Sequence, residues 1–156
     1  MAIYGNQQQF FESVSQTTLT PSVDLGTRRV EGGKEYIYVY NGCGASITSG
    51  YGVCVSLSSG YTVTVSSVTQ VNHCVGVANY TFATATYGWI QTKGFCQIVL
   101  SANNSMAVND PIKLGTDGKF GVNSVATGNI DLQCGFSIEA AASGASGKIY
   151  LRGLFA

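Results

Sequence analysis

The sequence carries little charge and no excess of either sign. Only 10% of its 156 residues are charged, against about 25% in an ordinary soluble protein, and eight basic residues balance eight acidic ones. Nucleic-acid binding needs a basic face, and Arg28 and Arg29 form the only adjacent basic pair. We therefore expect no nucleic-acid partner. A neutral surface rich in Gly, Ser and Thr favours association over existence as a free monomer.

Long apolar runs and targeting features are also absent. No apolar stretch approaches the roughly 20 residues that span a bilayer, so no membrane partner is expected. The first 22 residues lack the basic start, apolar centre and small-residue cleavage site of a signal peptide. We expect the protein to fold and assemble in the cytoplasm of the cell that makes it.

Side chains that carry chemistry are few and scattered. His73 is the only imidazole, the eight carboxylates form no cluster, and no Gly-x-Ser-x-Gly elbow is present. His73 beside Cys74 could be half of a metal site or of a Cys–His dyad, but the neighbouring residues supply no second half. The sequence therefore predicts no catalytic residue, no metal site and no cofactor, and indicates a protein that is not an enzyme.

The cysteines favour packing over chemistry. Their number is odd, their spacing is irregular, and no C-x-x-C pair occurs. A disulfide framework is not expected in a reducing compartment, and zinc prefers ligands paired at short spacing. Because free cysteine usually packs as a small apolar side chain, we expect five buried free thiols: Cys43, Cys54, Cys74, Cys96 and Cys134.

After the first thirty residues the pattern is that of β-strands. Residues 36–40 are aromatic and β-branched throughout, and residues 61–65 alternate apolar side chains with threonine. The clearest alternation runs from Leu132 to Ala140 and predicts one apolar face that contains Cys134, Phe136 and Ile138.

Turn signals separate these strands at short intervals. Asn-Gly and Asp-Gly pairs, including Asp117–Gly118, supply the positive φ angles that tight hairpins require. Many short strands punctuated in this way predict an all-β fold, with a single β-sandwich or barrel-like domain. We assign residues 31–156 to this domain and residues 1–30 to an extended N-terminal arm.

The predicted arm is polar and lacks alternation, yet it carries large apolar side chains. Tyr4, Phe10, Phe11 and Leu19 lie within it, and a disordered linker does not usually contain two adjacent phenylalanines. Two alternatives stay open: the arm packs on its own domain as an edge strand, or it docks on a partner. These four residues are candidate protein-interface residues.

The only tryptophan lies in the segment 75–94. In an extended strand, Trp89 shares a face with Tyr87, whereas Gly88 and Ile90 point to the other face. Gly88 leaves room for a bulky group from a neighbouring strand. Tyr87 and Trp89 are therefore further candidates for a protein interface, with packing in the protein's own core as the alternative.

Four segments together resemble a known pattern. Gly76–Ala78 and Tyr87–Gly94 are similar to a recurring "GVA … yGWvq..G", Val108–Gly118 is similar to "v..gDpv.lg.dG", and Gly135–Ala141 is similar to "G.alea". In this order they resemble the capsid decoration, or cement, proteins of tailed bacteriophages and related small phage structural proteins. The resemblance covers about half of the chain, and Asn109 stands where the pattern commonly has glycine.

The resemblance implies a virion structural protein. Such proteins are all-β, usually form homotrimers, and bind the major capsid protein on the capsid exterior, where they stabilise the shell. The rival hypothesis is a host-recognition or fibre-tip module that binds a cell-surface receptor or glycan, because a Tyr- and Asn-rich β surface suits both roles. No coiled coil, triple β-helix or collagen-like stalk precedes the domain to favour the rival.

Overall fold

The computed structural model describes residues 13–56, 60–65, 74–123 and 133–153. Within these ranges the chain forms eleven β-strands and one short 3-10 turn, so the predicted all-β fold is confirmed. The strands are β1 (Thr17–Thr18), β2 (Arg28–Glu31), β3 (Lys34–Asn41), β4 (Gly52–Ser56), β5 (Thr62–Val65), β6 (Cys74–Val77), β7 (Tyr87–Val99), β8 (Pro111–Leu114), β9 (Phe120–Val122), β10 (Gln133–Ser137) and β11 (Ser146–Arg152).

All eleven strands belong to one mixed sheet. The hydrogen-bonded order is β2-β3-β5-β4-β6-β7-β11-β10-β8-β9, and β1 adds to β7. The pair β3–β5 is parallel, whereas the other strand pairs are antiparallel. Because β3 also pairs with β7, the sheet folds back on itself.

The strand pairings around β3 close into a small barrel, which we call the first barrel. The circuit runs β3-β5-β4-β6-β7 and returns to β3. Its interior is filled mainly by aliphatic side chains that point inward from β3, β4, β5 and β7, together with residues of the connecting loops. The core residues are Ile37, Val39, Ile47, Val53, Val63, Ala78, Phe82 and Ile90, each at most 3% exposed.

A second barrel begins on the same strand. The circuit β7-β11-β10-β8-β9 closes through a parallel bridge between Leu100, directly after β7, and Phe120 in β9. The sequence predicts a single β-sandwich or barrel-like domain, and within the one sheet the strand pairings close into two such circuits. The core residues are Cys54, Val77, Cys96, Ile98, Leu100, Met106, Ile112, Leu114, Phe120, Cys134, Ile149 and Leu151.

The thirteen-residue strand β7 serves both barrels, and Gln91 lies where it passes from one to the other. The Gln91 amide nitrogen donates to the carbonyls of Lys93 and Phe95, each at 3.0 Å, and its amide oxygen accepts from Asn79 at 2.6 Å. Gly94, with φ of 95°, bends the strand between these two carbonyls. A fully buried amide is tolerated here because its polar atoms have partners.

Strand β10 corrects one prediction. Cys134 is buried as expected, but Phe136 is 37% exposed and Ile138 is 40% exposed, whereas Ser137 is buried. The register with β8 shifts between Gln133 and Gly135. Such an irregularity exchanges the two faces of a strand, so the apolar face predicted for Leu132–Ala140 is wrong beyond Cys134.

Two turns agree with the sequence signals. In the hairpin between β8 and β9, Asp117 and Gly118 have φ angles of 58° and 74°, as the Asp-Gly pair predicts. Asn109, which stands where the resemblance has glycine, has φ of 69°. Asparagine tolerates this left-handed conformation better than most residues do. Asn109 can therefore take the backbone conformation for which the resemblance has glycine.

Candidate functional site

Residues 13–25, which we call the covering segment, lie on the outer face of the first barrel. Within this segment β1 pairs with β7 through Thr17–Gly88 and Thr18–Tyr87. Three apolar side chains of the segment, Val14, Val23 and Leu25, pack on the sheet. The described part of the predicted arm therefore lies on its own domain, and β2 crosses the boundary predicted between residues 30 and 31.

The covering segment buries an aromatic cluster formed by Tyr36, Tyr38 and Trp89. Trp89 is only 1% exposed, and the ring centroids of Tyr38 and Trp89 are 5.0 Å apart. The Arg29 guanidinium lies 5.8 Å from the Trp89 ring centroid, within cation–π range. Ile90 points to the opposite side, into the first barrel core, as the strand alternation predicts.

The hydroxyl group of Tyr38 fastens the covering segment to the barrel. It accepts hydrogen bonds from the backbone nitrogen of Ser22 at 3.2 Å and from the Ser22 hydroxyl at 2.9 Å. The Thr18 hydroxyl lies 3.2 Å away and shares a hydrogen bond with it. Tyr38 thereby joins the middle of the segment, at Thr18 and Ser22, to β3.

The predicted interface residues fall in three environments. Tyr4, Phe10 and Phe11 lie outside the described residues. Leu19 follows β1 and is 82% exposed. Tyr87 is half-buried, with its ring 5.0 Å from that of Tyr40, and Trp89 is buried under the covering segment. Contact with another chain stays a prediction for all six residues.

The second barrel carries exposed aromatic side chains on its outer face. Phe95 of β7, Tyr150 of β11 and Phe136 of β10 are directly opposed across neighbouring strands, and we call them the aromatic row. They are 56%, 37% and 37% exposed, respectively. The rings of Phe95 and Tyr150 meet edge to face, with centroids 5.1 Å apart.

Sequence reasoning missed the aromatic row, although a signal was present. In β11, Tyr150 alternates with Ile149 and Leu151 and therefore shares the face of Lys148 and Arg152. Charged side chains on a strand face the solvent, so an aromatic side chain on the same face is expected to be exposed. Phe136 could not be placed in this way, because the register shift in β10 exchanges its face.

Cationic side chains flank the aromatic row. The Arg152 guanidinium lies 5.1 Å from the Phe136 ring centroid, and Arg152 makes no ion pair among the described residues. Lys148 pairs with Glu139 at 3.1 Å, and Lys93 pairs with Glu35 at 3.0 Å. Exposed ion pairs of this kind contribute about 1 kcal/mol or less to stability. A partner that binds this surface can therefore displace them at little cost.

Three of the four cysteines whose side chains are described are buried as expected, whereas Cys43 is only half-buried. Cys54, Cys96 and Cys134 are free and buried in the second barrel core. Burial raises the pKa of Cys54 and of Cys96 to about 12, so both remain neutral thiols at physiological pH. No three His, Cys, Asp or Glu side chains within the described ranges are placed to hold a metal ion, and His73 lies outside them.

A cavity of about 260 Å³ opens beside β2 and β3. Arg28, Arg29, Tyr36, Thr92 and Gly153 are among the residues that line it. The Arg29 guanidinium is already engaged there, with Glu31 at 2.7 Å.

Among the described residues, no helix has the length and apolar character needed to cross a membrane.

Comparison with known proteins identifies a likeness in fold alone. No family model matches the chain, and no curated protein matches it. A solved structure described as the N base of the head fibre protein gp8.5 of bacteriophage phi29 superposes with a TM-score of 0.55 and 11% sequence identity. The superposition covers 74% of this chain and 93% of that one. The chain is therefore similar in fold to nearly the whole base domain of a phage head fibre.

Proposed function

We propose that this protein is a non-enzymatic structural component of a phage virion, which binds the outer surface of the capsid and stabilises the shell. The observation that carries the virion assignment is the shared fold with the phi29 head fibre base over 93% of that domain. The sequence segments that resemble the decoration proteins support the finer part of the proposal, capsid binding and shell stabilisation.

The chemistry of the described residues supports a binding role. The buried thiols of Cys54 and Cys96 are protonated, and the carboxylates that form ion pairs lie on the surface. Two outer faces of β7 carry aromatic side chains. One aromatic face is covered by the chain itself and the other is exposed. Exposed aromatic side chains with a neighbouring arginine are typical of protein-interaction surfaces.

The partners in this proposal are the major capsid protein and other copies of the chain, arranged as a homotrimer on the capsid exterior after assembly in the host cytoplasm. Binding to the assembled lattice, and not to its free subunits, stabilises that lattice by mass action. Symmetry repeats each contact, and this multiplicity strengthens the attachment without requiring a strong single contact.

A host-facing function is the second candidate, and the head fibre likeness is the observation that favours it. In that case the domain is a host-recognition or fibre-tip module that binds a cell-surface receptor or glycan. Both candidates place the protein on a virion. They differ in the partner whose binding can be measured: the capsid shell or the host cell.

Co-sedimentation with phage heads tests the first candidate. The purified chain is mixed with mature, DNA-filled heads and, separately, with unexpanded heads of the phage that encodes it. We expect binding to mature heads only, together with an increase in the temperature at which those heads release DNA. Binding to neither form contradicts the capsid assignment.

A parallel measurement on host cells tests the second candidate. Fluorescently labelled protein is incubated with susceptible cells and with receptor-deficient resistant cells. Selective binding to susceptible cells in the absence of head binding supports the host-recognition role and excludes shell stabilisation. Head binding without an increase in head stability favours a fibre base over a cement protein.

A further inference from the structure

We propose that Cys54 and Cys74 are a disulfide pair, reduced while the chain is in the cytoplasm and joined once the chain enters oxidising surroundings. The bond locks β4 to β6 in the first barrel. The inference deepens the proposed function and rests on it for the change of surroundings, because a virion component leaves the reducing cytoplasm when the host cell opens.

The register of β4 and β6 places the two cysteines opposite each other. The strands pair antiparallel, and Cys54 is the register partner of Cys74. Directly opposed residues of an antiparallel pair have Cα atoms about 4.5–5.5 Å apart. This separation lies within the range of about 4.4–6.8 Å that a disulfide spans. The backbone pairing therefore already holds the two residues at a distance that a disulfide can join.

The pleat of the two strands puts both residues on one face. Opposed residues of an antiparallel pair share a face, and the same face recurs at every second residue. Gly52, two residues before Cys54, is opposite Val77, and both Cys54 and Val77 belong to the second barrel core. The register shift in this pair leaves Val75 as an extra residue in β6. The register therefore assigns residue 74 to the same face as Val77, although the two are three residues apart.

Two other cysteines lie in the second barrel core, but neither is opposed to Cys54. Cys96 belongs to β7 and Cys134 belongs to β10. Neither of these strands neighbours β4 in the sheet order, whereas β6 does. Packing across a core sets no fixed Cα separation, whereas a strand register does. The register therefore selects Cys74 as the partner of Cys54.

The bond would strengthen a part of the first barrel that has few backbone contacts. Strand β6 joins β7 through a single register pair among the described residues, Val77 with Gln91. A bond to β4 secures β6 from its other side. The chain between Cys54 and Cys74 contains β5, and a disulfide that closes such a loop stabilises mainly by restricting the unfolded chain.

The bond forms by thiol–disulfide exchange with a small-molecule disulfide, which is the oxidant in this proposal. One protein thiolate attacks this reagent, forms a mixed disulfide and releases one small thiolate, which takes up a proton. The second cysteine loses its proton, attacks the protein sulfur of the mixed disulfide and releases the second small thiolate, which is protonated in turn. Two electrons and two protons thus pass from the two protein thiols to the reagent.

Access to the buried pair comes from the end of a strand. Cys54 is a free thiol with 1% exposure, so the closed barrel protects it. Strand β6 begins at Cys74, and a strand end opens locally at a lower free energy than the whole fold. Exchange is therefore expected to be slow near neutral pH and faster at alkaline pH, where more of the thiol is ionised.

The first experiment maps the bond in the purified full-length chain, free of capsids. The chain is incubated with oxidised glutathione, quenched with acid, unfolded, alkylated and digested for mass spectrometry. We expect a linked peptide that joins Cys54 to Cys74, formed faster at pH 9 than at pH 7. Absence of this peptide after prolonged incubation, or a link from Cys54 to Cys96 or Cys134 in its place, would overturn the proposal.

Thermal unfolding of the oxidised and reduced chains measures what the bond does. We expect oxidation to raise the Tm of the natural chain by roughly 5–10 °C. Cys74→Ala and the reciprocal Cys54→Ala should show no such increase, and their unfolding under reducing conditions establishes that they are folded. Cys43→Ala is the matched control, since Cys43 is half-buried outside the second core, and it should show the full increase. An equal increase in the Cys74 variant would contradict the assignment.

These measurements use the free protein, so their outcome is separate from that of the head-binding experiment. Formation of the bond in a chain that binds neither heads nor host cells would refute the proposed function and leave the disulfide pair standing. Head binding by a chain in which the linked peptide never forms would do the reverse.

Discussion

The Tyr80 hydroxyl group occupies the space that a side chain at Gly88 would fill. From this position it accepts a hydrogen bond from the backbone nitrogen of Trp89 at 3.0 Å and donates one to the Gln16 carbonyl at 3.1 Å. The absence of a side chain at residue 88 therefore lets one phenol join β7 to the covering segment. The room that the sequence predicts beside Gly88 is taken by a side chain from the same protein.

Gly88→Ala is expected to lower the free energy of unfolding by about 2 kcal/mol, the range seen when a close-packed site is overfilled. The added methyl group would displace the Tyr80 hydroxyl and press on the Gln16 carbonyl, 3.0 Å away. Urea unfolding followed by tryptophan fluorescence measures the change. In a Tyr80→Phe background the same substitution should cost less, because the oxygen it collides with is gone; equal costs would show that Tyr80 is not the obstacle.

Tyr38→Phe is expected to loosen the covering segment. The substitution removes the acceptor of the Ser22 backbone N–H and the partner of the Thr18 hydroxyl, at a cost of about 1–2 kcal/mol. Limited proteolysis should cleave within residues 13–25 faster than in the natural chain. Tyr40→Phe, on the same strand, is the control and should leave the cleavage rate unchanged. A protected segment in the Tyr38 variant would show that apolar packing alone holds it.

Asn41→Ala is expected to destabilise the first barrel strongly. The buried Asn41 amide donates to the carbonyls of Ala45, Phe82 and Ala83, and its oxygen accepts from the Cys43 backbone nitrogen. Removing it leaves the Cys43 backbone N–H without this acceptor. The Phe82 and Ala83 carbonyls each lose one of two donors, because they also accept from the Ile47 backbone nitrogen and the Thr86 hydroxyl. We expect a total cost of about 2 kcal/mol. The exposed Asn103→Ala is the control, within about 0.5 kcal/mol of the natural chain. A loss below 1 kcal/mol in thermal or urea unfolding would mean that water replaces the amide.

Alkaline pH is expected to destabilise the fold through its buried thiols. The folded-state pKa of Cys54 and of Cys96 is about 12, whereas an unfolded thiol has its ordinary value near 9. Above pH 9 the unfolded chain has released protons that the folded chain retains, so the free energy of unfolding falls as the pH rises. Urea unfolding at pH 8 and pH 10 measures the decrease.

The Cys96→Ala variant separates this effect from other alkaline titrations. It should lose less stability between pH 8 and pH 10 than the natural chain does, because one buried thiol no longer contributes. Cys43→Ala, at a half-buried position outside the second core, supplies the matched control. Identical pH dependence in the natural chain and the Cys96 variant would show that the thiol does not contribute to alkaline destabilisation.

Much of the fold follows from local patterns. The aromatic and β-branched run around Tyr36–Tyr40 became β3, and Asp117–Gly118 became the turn of a hairpin, because both features depend only on residues close in sequence. The alternation of Trp89 and Ile90 was likewise correct. Cys134 is buried as its pattern predicts, although the rest of that strand was assigned to the wrong face.

Less of the candidate site than of the fold could be predicted from the sequence. A shift of register at Gln133 and Gly135 depends on pairing with β8, which is distant in sequence, and it turned Phe136 and Ile138 outward. The aromatic row exists only because β7, β11 and β10 are neighbours in the sheet. The sharing of β7 between two barrels depends in the same way on a buried amide and a bend, at Gln91 and Gly94.

The sequence by itself determined the all-β class, the position of the hairpin at Asp117–Gly118 and the burial of Cys134, because strand alternation and positive φ angles are local properties. Only the tertiary structure decided that Trp89 faces the chain's own N-terminal segment and that Phe95 faces outward. Both side chains are aromatic residues on one strand, and what distinguishes them is whether another part of the chain covers them. That depends on contacts between residues far apart in sequence, which no local pattern encodes.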